Sequence, residues 1–418
     1  MNESLRITNL KDTSGKPYEI GIADGVFVDP ETINSPTTDG GGYTVIPGLV
    51  DLHTHLREPG FEDAETILSG SLAAAAGGFT AISAMPNTDP IADTAGVVEQ
   101  VFRLGATHGI CDVFPIGAIT VGSRGEQLAE IRAMHDSIAR TRIFSDDGNC
   151  LSSSILMRRA LEYVKSFDGI IAQHAQDADL TRESQVNEGE ISSRLGLKGW
   201  PAVAEEAIIA RDVLLADHVG SKLHICHVST AGSVEIIRWA KARGISVTAE
   251  VTPHHLLLTE ELLETYDPVY KVNPPLRAKR DVEALRAGLA DGTIDVIATD
   301  HAPHTAERKE CEWANAAFGM LGLETALSVS FKAMVESKMI SFTDLIIRMS
   351  TKPASIAGYL GHGELSLGKP ANFSLVDLEQ VWQSSPSYSK SKNDPYRGMN
   401  LPVLVMQTFL RGKKVFSR

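Results

Sequence analysis

From residue 45 to residue 299 the chain repeats one kind of unit: a short apolar run, a polar turn, then a stretch with helical spacing. The first run, Val45-Ile46-Pro47-Gly48-Leu49-Val50, leads into Asp51-Leu52-His53-Thr54-His55. Further strand-like runs cover residues 80–84, 111–119, 141–145, 170–174, 222–227, 246–251 and 294–299. Helices are predicted over 62–76, 127–139, 202–217, 233–243 and 281–290, with Gly77-Gly78 and Gly244 as stops. About eight strands, mostly alternating with helices, predict an α/β chain built as a (β/α)8 barrel. Beyond residue 299 the chain turns helical over 323–335 and 342–349, then returns to strands and turns. Residues 18–22 and 26–28 are also strand-like, so the two chain ends are expected to pair into one small β domain. The expected partition is 1–47 for the first part of that domain, 48–355 for the barrel and 356–418 for the second part. The Ser-rich stretch 381–396 is expected to be a mobile loop.

A barrel of this kind carries its active site at the C-terminal ends of its strands. The residues there are therefore the ones to read for chemistry. The first strand ends in His53-Thr54-His55, whose two imidazoles share a face because strand side chains alternate. The fourth ends in Asp146-Asp147, the fifth in His174, the sixth in His227 and the eighth in Asp300. Taken singly, each has a structural explanation: a core histidine, or a turn at Asp146-Asp147-Gly148. Their convergence at successive strand ends points to metal binding, and imidazole mixed with carboxylate suits Zn²⁺. Four histidines and two aspartates exceed one tetrahedral shell, so the expected centre is a metal pair with one carboxylate shared. Arg57 follows close behind His55, placed to grip an anion beside the metal. His254-His255 is read as structural or supporting, since neighbours on a strand face opposite ways. His108, His135, His218, His224 and His362 are read as structural.

Composition narrows the partners. A net charge of −14 repels nucleic acid and anionic lipid, so neither is an expected partner. The four cysteines have no CxxC spacing and read as reduced thiols. The N-terminus lacks the basic-then-apolar pattern of a signal peptide, and the most apolar window, 72–85, is too short to span a bilayer. A cytoplasmic location is expected.

Several motifs together identify a resemblance. They are Asp51-Leu52-His53-Thr54-His55-Leu56-Arg57-Glu58-Pro59-Gly60, Met85-Pro86-Asn87-Thr88 and Phe144-Ser145-Asp146-Asp147-Gly148. Cys226-His227-Val228-Ser229-Thr230, Thr252-Pro253-His254-His255 and Ala298-Thr299-Asp300-His301-Ala302-Pro303-His304 follow in order. In content, order and spacing, over nearly the whole chain, they resemble the class I bacterial dihydroorotases of the amidohydrolase superfamily. The resemblance implies that His53, His55 and Asp300 hold one zinc, that His174 and His227 hold a second, and that Asp147 bridges them. It implies that Arg57, Asn87 and His304 hold the substrate α-carboxylate, with His55 beside it. Asn273 and the Phe318-Gly319 backbone would contact the pyrimidine ring. The implied reaction is reversible closure of N-carbamoyl-L-aspartate to L-dihydroorotate, with Asp300 carrying the proton. Implied partners are a second copy of the chain and aspartate transcarbamoylase.

The rival readings are another cyclic amidohydrolase, acting on hydantoin, dihydrouracil or allantoin, and an inactive homologue that serves a transcarbamoylase. Hydantoinases and many relatives bridge their metals with a carboxylated lysine on the fourth strand, yet this chain has no lysine between Lys16 and Lys165. Asp147 would then do the bridging. All six implied ligands are present, which counts against an inactive homologue. The chain departs from the family at Thr351-Lys352-Pro353-Ala354, where Asn usually precedes Pro, and at Asn372, where Asp is usual. Both lie outside the implied metal shell.

Overall fold

The computed structural model describes residues 4–385 and 388–418. Eight parallel strands follow one another along the middle of the chain. They are β1 (Leu49–Thr54), β2 (Phe79–Ala84), β3 (Asp112–Pro115), β4 (Ile143–Phe144), β5 (Ile170–Gln173), β6 (Lys222–Ile225), β7 (Val247–Val251) and β8 (Val296–Ile297). Strands β1, β2 and β3 form one parallel sheet, and β4 to β8 form a second, in sequence order. Isolated parallel bridges lie at both seams. Gly117 pairs with Phe144 between β3 and β4, and Thr54 pairs with His301 between β1 and the chain leaving β8.

Every residue of β1 and β2 is buried, as expected for strands covered on both faces. Alternate side chains divide between two cores. Ile82, Phe144, Ile171 and Ile297 point to the flanking helices, meeting Ala73, Val98, Met157, Ile209 and Leu285. Val50, Ala81, Ile143, Ile170, Ala172 and Val296 form a separate cluster on the opposite face of the same strands. Burying a side chain the size of Ile82 or Phe144 contributes about 1.5–3 kcal/mol.

Helices Ile67–Ala76, Ala95–His108, Ile131–Asp136, Ser154–Lys165, Val203–Val219, Ala231–Ala242 and Lys279–Asp291 follow β1 to β7 in turn. The first starts later than residue 62, because Thr66 caps it by accepting from the Ser69 amide at 3.1 Å. Two of these seven helices were not among the expected ones. Ala95–His108 is diluted by Gly96 and Gly105, yet a Cβ at Gly105 would lie 2.7 Å from Val113 Cβ, so close helix–strand approach requires that glycine. Ser154–Lys165 buries Met157, Ala160, Leu161 and Val164, an ordinary helical stripe.

The chain ends meet in one eight-stranded sheet. Its order runs Lys413–Ser417, Asn400–Leu410, Phe373–Gln383, Thr44–Pro47, Ser4–Lys11, Pro17–Ala23 and Val26–Val28, with Thr37–Asp39 beside Ser4–Lys11. Thr44–Pro47 is the joint between N-terminal and C-terminal strands, antiparallel to Phe373–Gln383 with Phe373 opposite Pro47. Ile7, Ile20, Ile22, Phe27, Phe373 and Phe409 fill its core, and the last two rings stack at 4.4 Å.

The expected mobile loop over 381–396 is corrected. Phe373–Gln383 is a strand, and Ser389, Ser391, Asn393, Asp394 and Tyr396 are buried. Their hydroxyl and amide groups bond to backbone and to Glu65, so the polar composition is satisfied internally. Residues 386 and 387, within that expectation, lie outside the described residues.

Candidate metal centre and active site

The ends of β1, β4, β5 and β6 bring His53, His55, Asp147, His174 and His227 into one buried cluster, and Asp300 joins them from beyond β8. Among the described residues three groups of three could hold a metal ion: His53 with His55 and Asp147, Asp147 with His174 and His227, and His53 with Cys226 and Glu250. Asp147 belongs to the first two. Its Oδ1 lies 3.4 Å from His53 Nε2 and 3.3 Å from both His174 Nδ1 and His227 Nε2, while Oδ2 lies 3.4 Å from His55 Nε2. Asp300 Oδ1 stands 3.1 Å from His55 Nε2 and 3.5 Å from His53 Nε2. Asp146 faces elsewhere, accepting from the Ile119 and Thr120 amides at 2.9 and 3.0 Å. Asp147 is therefore the member of the Asp-Asp pair that meets the histidines.

The outer nitrogen of three imidazoles is committed to an oxygen acceptor. His53 Nδ1–H donates to Glu250 Oε1 at 2.6 Å, His55 Nδ1–H to Asn87 Oδ1 at 2.9 Å, and His174 Nε2–H to Gln176 Oε1 at 2.8 Å. In the neutral rings this fixes the tautomer and turns a lone pair inward from each. Those lone pairs face carboxylate oxygens, an arrangement of acceptors against acceptors that a cation would resolve. His53 Nε2 is buried with no hydrogen-bond partner among the described residues. The donor set therefore fits a metal, and the outer acceptors are the supports such ligands ordinarily have.

Charge is concentrated here. Burial opposes ionisation of Asp147, yet His53, His174 and His227 draw it well below the usual carboxylate range. Asp300 is likewise held low against its burial by His53 and His55. Burial disfavours the charge on His53, but Asp147, Glu250 and Asp300 outweigh it and raise its pKa. Glu250, also opposed by burial, is drawn down to about 2 by His53 and His224.

The residues implied for substrate lie around this cluster. Arg57 is half-buried, desolvation lowering its pKa to about 10, and its Nε donates to the Pro303 carbonyl at 3.1 Å. That leaves its two terminal nitrogens for other acceptors. His304 donates from Nε2 to the Phe318 carbonyl at 2.7 Å, and burial followed by Arg57 pushes its pKa down to about 3. Gly319 has φ 143°, and a Cβ there would lie 2.8 Å from His304 Nε2. Asn273 sits on the other side, its Nδ2 3.1 Å from Gln176 Oε1, while its buried Oδ1 is without a partner among the described residues. A cavity of about 1030 Å³ opens at His304, bordered also by Tyr270, Lys309 and Asn393.

The profile described as "Dihydro-orotase-like" matches residues 42–233. A protein named Dihydroorotase from Streptomyces coelicolor is 59% identical over 421 residues, covering 99% of this chain and 98% of that protein. One of the same name from Leifsonia xyli is 62% identical over 98% of this chain and 95% of its own length. The chain belongs to the dihydroorotase family. A relative so named from Mycobacterium tuberculosis is 51% identical, with 95% of this chain and 96% of that protein covered. Among solved structures, an L-hydantoinase (dihydropyrimidinase) from Arthrobacter aurescens superposes with a TM-score of 0.88 at 26% identity, covering 100% of this chain and 96% of its own. A D-hydantoinase follows at 0.86 and 24%, with 100% and 96% covered. The dihydroorotase-family chain thus has the α/β fold of the wider amidohydrolases.

Sequence reasoning missed the residues behind the His/Asp cluster. Glu250 accepts from His53 Nδ1, from His224 Nε2 at 3.0 Å and from the His227 amide at 3.2 Å. Asp51 accepts from the His53 and Thr299 amides at 3.0 and 3.1 Å, tying β1 to the turn that carries Asp300. Both are acids inside apolar strand runs, a signal visible in the sequence, because a buried charge needs partners. His224, read as structural, supports Glu250 and is itself fixed by Thr248 at 2.8 Å. His254 and His255 lie in the short helix Pro253–Leu257, not on a strand. His255 donates to the Pro274 carbonyl at 3.1 Å, and burial drives His254 down to about 4.

Proposed function

We propose that the chain closes N-carbamoyl-L-aspartate to L-dihydroorotate, and reopens the ring, in de novo pyrimidine synthesis. The carrying observation is Asp147 standing between two histidine groups within one buried cluster that Arg57 and His304 flank. His53, His55 and Asp300 would hold one zinc, His174 and His227 the other, and Asp147 both. The two parallel sheets, joined by bridges at both seams, read as one (β/α)8 barrel over 48–355, with a β domain made from 1–47 and 356–418. Among the described residues no helix is long and apolar enough to cross a membrane, and the four cysteines are free. We place the enzyme in the cytoplasm.

Bound zinc supplies an activated water at neutral pH and polarises the ring carbonyl. The chain does the rest. Glu250 and Asn87 lock the rings of His53 and His55, so the donor set is organised before substrate arrives. Asp300, ionised throughout the working range, takes a proton from the attacking water and returns it to the ring nitrogen. Arg57 offers its planar fork to the substrate carboxylate. Neutral His304 presents Nδ1, its Nε2–H being engaged by Phe318.

The likeness to hydantoinase structures favours a second reading, hydrolysis of an uncharged ring. Incubating zinc-loaded protein with L-dihydroorotate, hydantoin and dihydrouracil separates the two. Opening of dihydroorotate alone is expected. Opening of only the uncharged rings would defeat the proposal and the role given to Arg57.

A further inference from the structure

A set of polar contacts near the site comes from the other end of the chain. Asn393 is buried, and its one side-chain amide touches three backbone groups of the site wall. Its Nδ2 donates to the Ala302 carbonyl at 2.9 Å and the Gly319 carbonyl at 3.3 Å, while Oδ1 accepts from the His304 amide at 3.3 Å. The Asn393 carbonyl also accepts from the Leu321 amide at 3.0 Å. The segment around it is anchored separately: Ser391 Oγ donates to the Ala64 carbonyl at 2.8 Å, and Ser389 Oγ donates to buried Glu65. Glu65 in turn faces His301 Nε2 at 3.3 Å, next to Asp300.

We propose that Asn393 is a positioning residue for substrate, fixing the His304 turn against the Gly319 turn so that both present to the same ligand. The inference rests on the assignment of His304 and Gly319 to substrate. The geometry is one a planar amide meets and few other side chains can. It offers two donors and one acceptor to two separate loops at once. Gly319 has no Cβ, so its backbone reaches within a hydrogen bond of the amide while leaving room for His304. The His304–Phe318 hydrogen bond and the bond from the Ala302 amide to the Met320 carbonyl also join these loops. Loss of the clamp therefore loosens them, and substrate binding must complete their ordering, which weakens affinity uniformly in ground and transition states.

The test compares Asn393→Ala, Asn393→Asp, Ser391→Ala and His304→Ala in the zinc-loaded full chain, by kcat and KM for L-dihydroorotate, metal content and thermal midpoint. Asn393→Asp keeps size and acceptor but sets a carboxylate against two carbonyls, so it carries the test if Asn393→Ala does not fold. Both Asn393 variants are expected to raise KM at least tenfold with kcat changed less than threefold and metal content unchanged. Ser391→Ala, which cuts only the anchor to Ala64, is expected to lower the midpoint and leave KM alone. A KM rise in His304→Ala with none in the Asn393 variants would overturn the positioning role alone. An unchanged KM in His304→Ala would overturn the substrate assignment and this proposal with it. Equal KM rises in Ser391→Ala and Asn393→Ala would reduce Asn393 to general structural support, and overturn it too.

Discussion

Glu250 stands behind His53, His224 and His227, and its replacement should be felt first in metal affinity. Its carboxylate takes three hydrogen bonds in a buried site, from His53 Nδ1 at 2.6 Å, His224 Nε2 at 3.0 Å and the His227 amide at 3.2 Å. Two of those three donors belong to residues of the metal cluster. In Glu250→Gln the side chain keeps its shape and one acceptor oxygen. The amide nitrogen must then face His224, whose Nε2 becomes the acceptor while Nδ1–H turns to Thr248 Oγ1, an accessible tautomer. What is lost is the charge on the His53 contact. Charge-assisted hydrogen bonds are worth about 1.5–3 kcal/mol net, against about 0.5–1.5 for neutral ones. The difference, about 1–1.5 kcal/mol, predicts roughly a tenfold weaker metal affinity, each tenfold being about 1.4 kcal/mol. Glu250→Ala leaves the same three donors without their acceptor, and a loss nearer 100-fold is expected, at the upper end for such supporting groups. Zinc affinity is read by competition with a chromophoric chelator, with circular dichroism verifying the fold. A folded Glu250→Gln protein that competes for zinc as well as the parent would refute the reasoning, because the short His53 contact would then contribute nothing to the ligand.

Three further outcomes are expected. Asp147→Ala should lower the metal content from about two per chain on the two-metal reading, since it removes the carboxylate common to both groups; elemental analysis showing no loss would remove Asp147 from the ligand set. Arg57→Ala should raise KM for L-dihydroorotate far more than it lowers thermal stability, and an unchanged KM would contradict the fork contact. For His304, burial holds the folded pKa near 3, below the ordinary imidazole value of 6.5. Between those values the unfolded chain binds a proton that the folded chain refuses, so the contribution to stability is full above pH 6.5 and is lost as pH falls toward 3. The stability advantage of the parent over His304→Gln, read from urea midpoints, should therefore shrink from pH 8 to pH 5; an advantage that grows in acid would show the imidazole to be charged when folded.

The histidines and aspartates of the buried cluster were legible because each closes an apolar run, and a parallel strand buried on both faces leaves such a run nearly unbroken in the sequence. Their supports were not legible for the same reason. Glu250 and Asp51 sit inside those runs, where they read as interruptions of a strand. The partner that makes each tolerable lies far away in the chain: His53 is 197 residues from Glu250, and Thr299 is 248 from Asp51. The segment 388–396 misled through composition. Serine and asparagine suit exposed turns, yet the same hydroxyls and amides can satisfy buried backbone groups, and only the placement of Ala64, Ala302 and Gly319 decides which occurs. His254-His255 misled through local geometry, because Pro253 at the first turn starts a helix where a strand was assumed to continue. An acid within an otherwise apolar strand is thus a stronger pointer than the histidine at its end. A strand-end histidine has several inexpensive structural roles. A buried carboxylate is stable only beside a cation or several donors, so Glu250 in the run Val247-Thr248-Ala249-Glu250-Val251 already required a cationic or multiply donating neighbour.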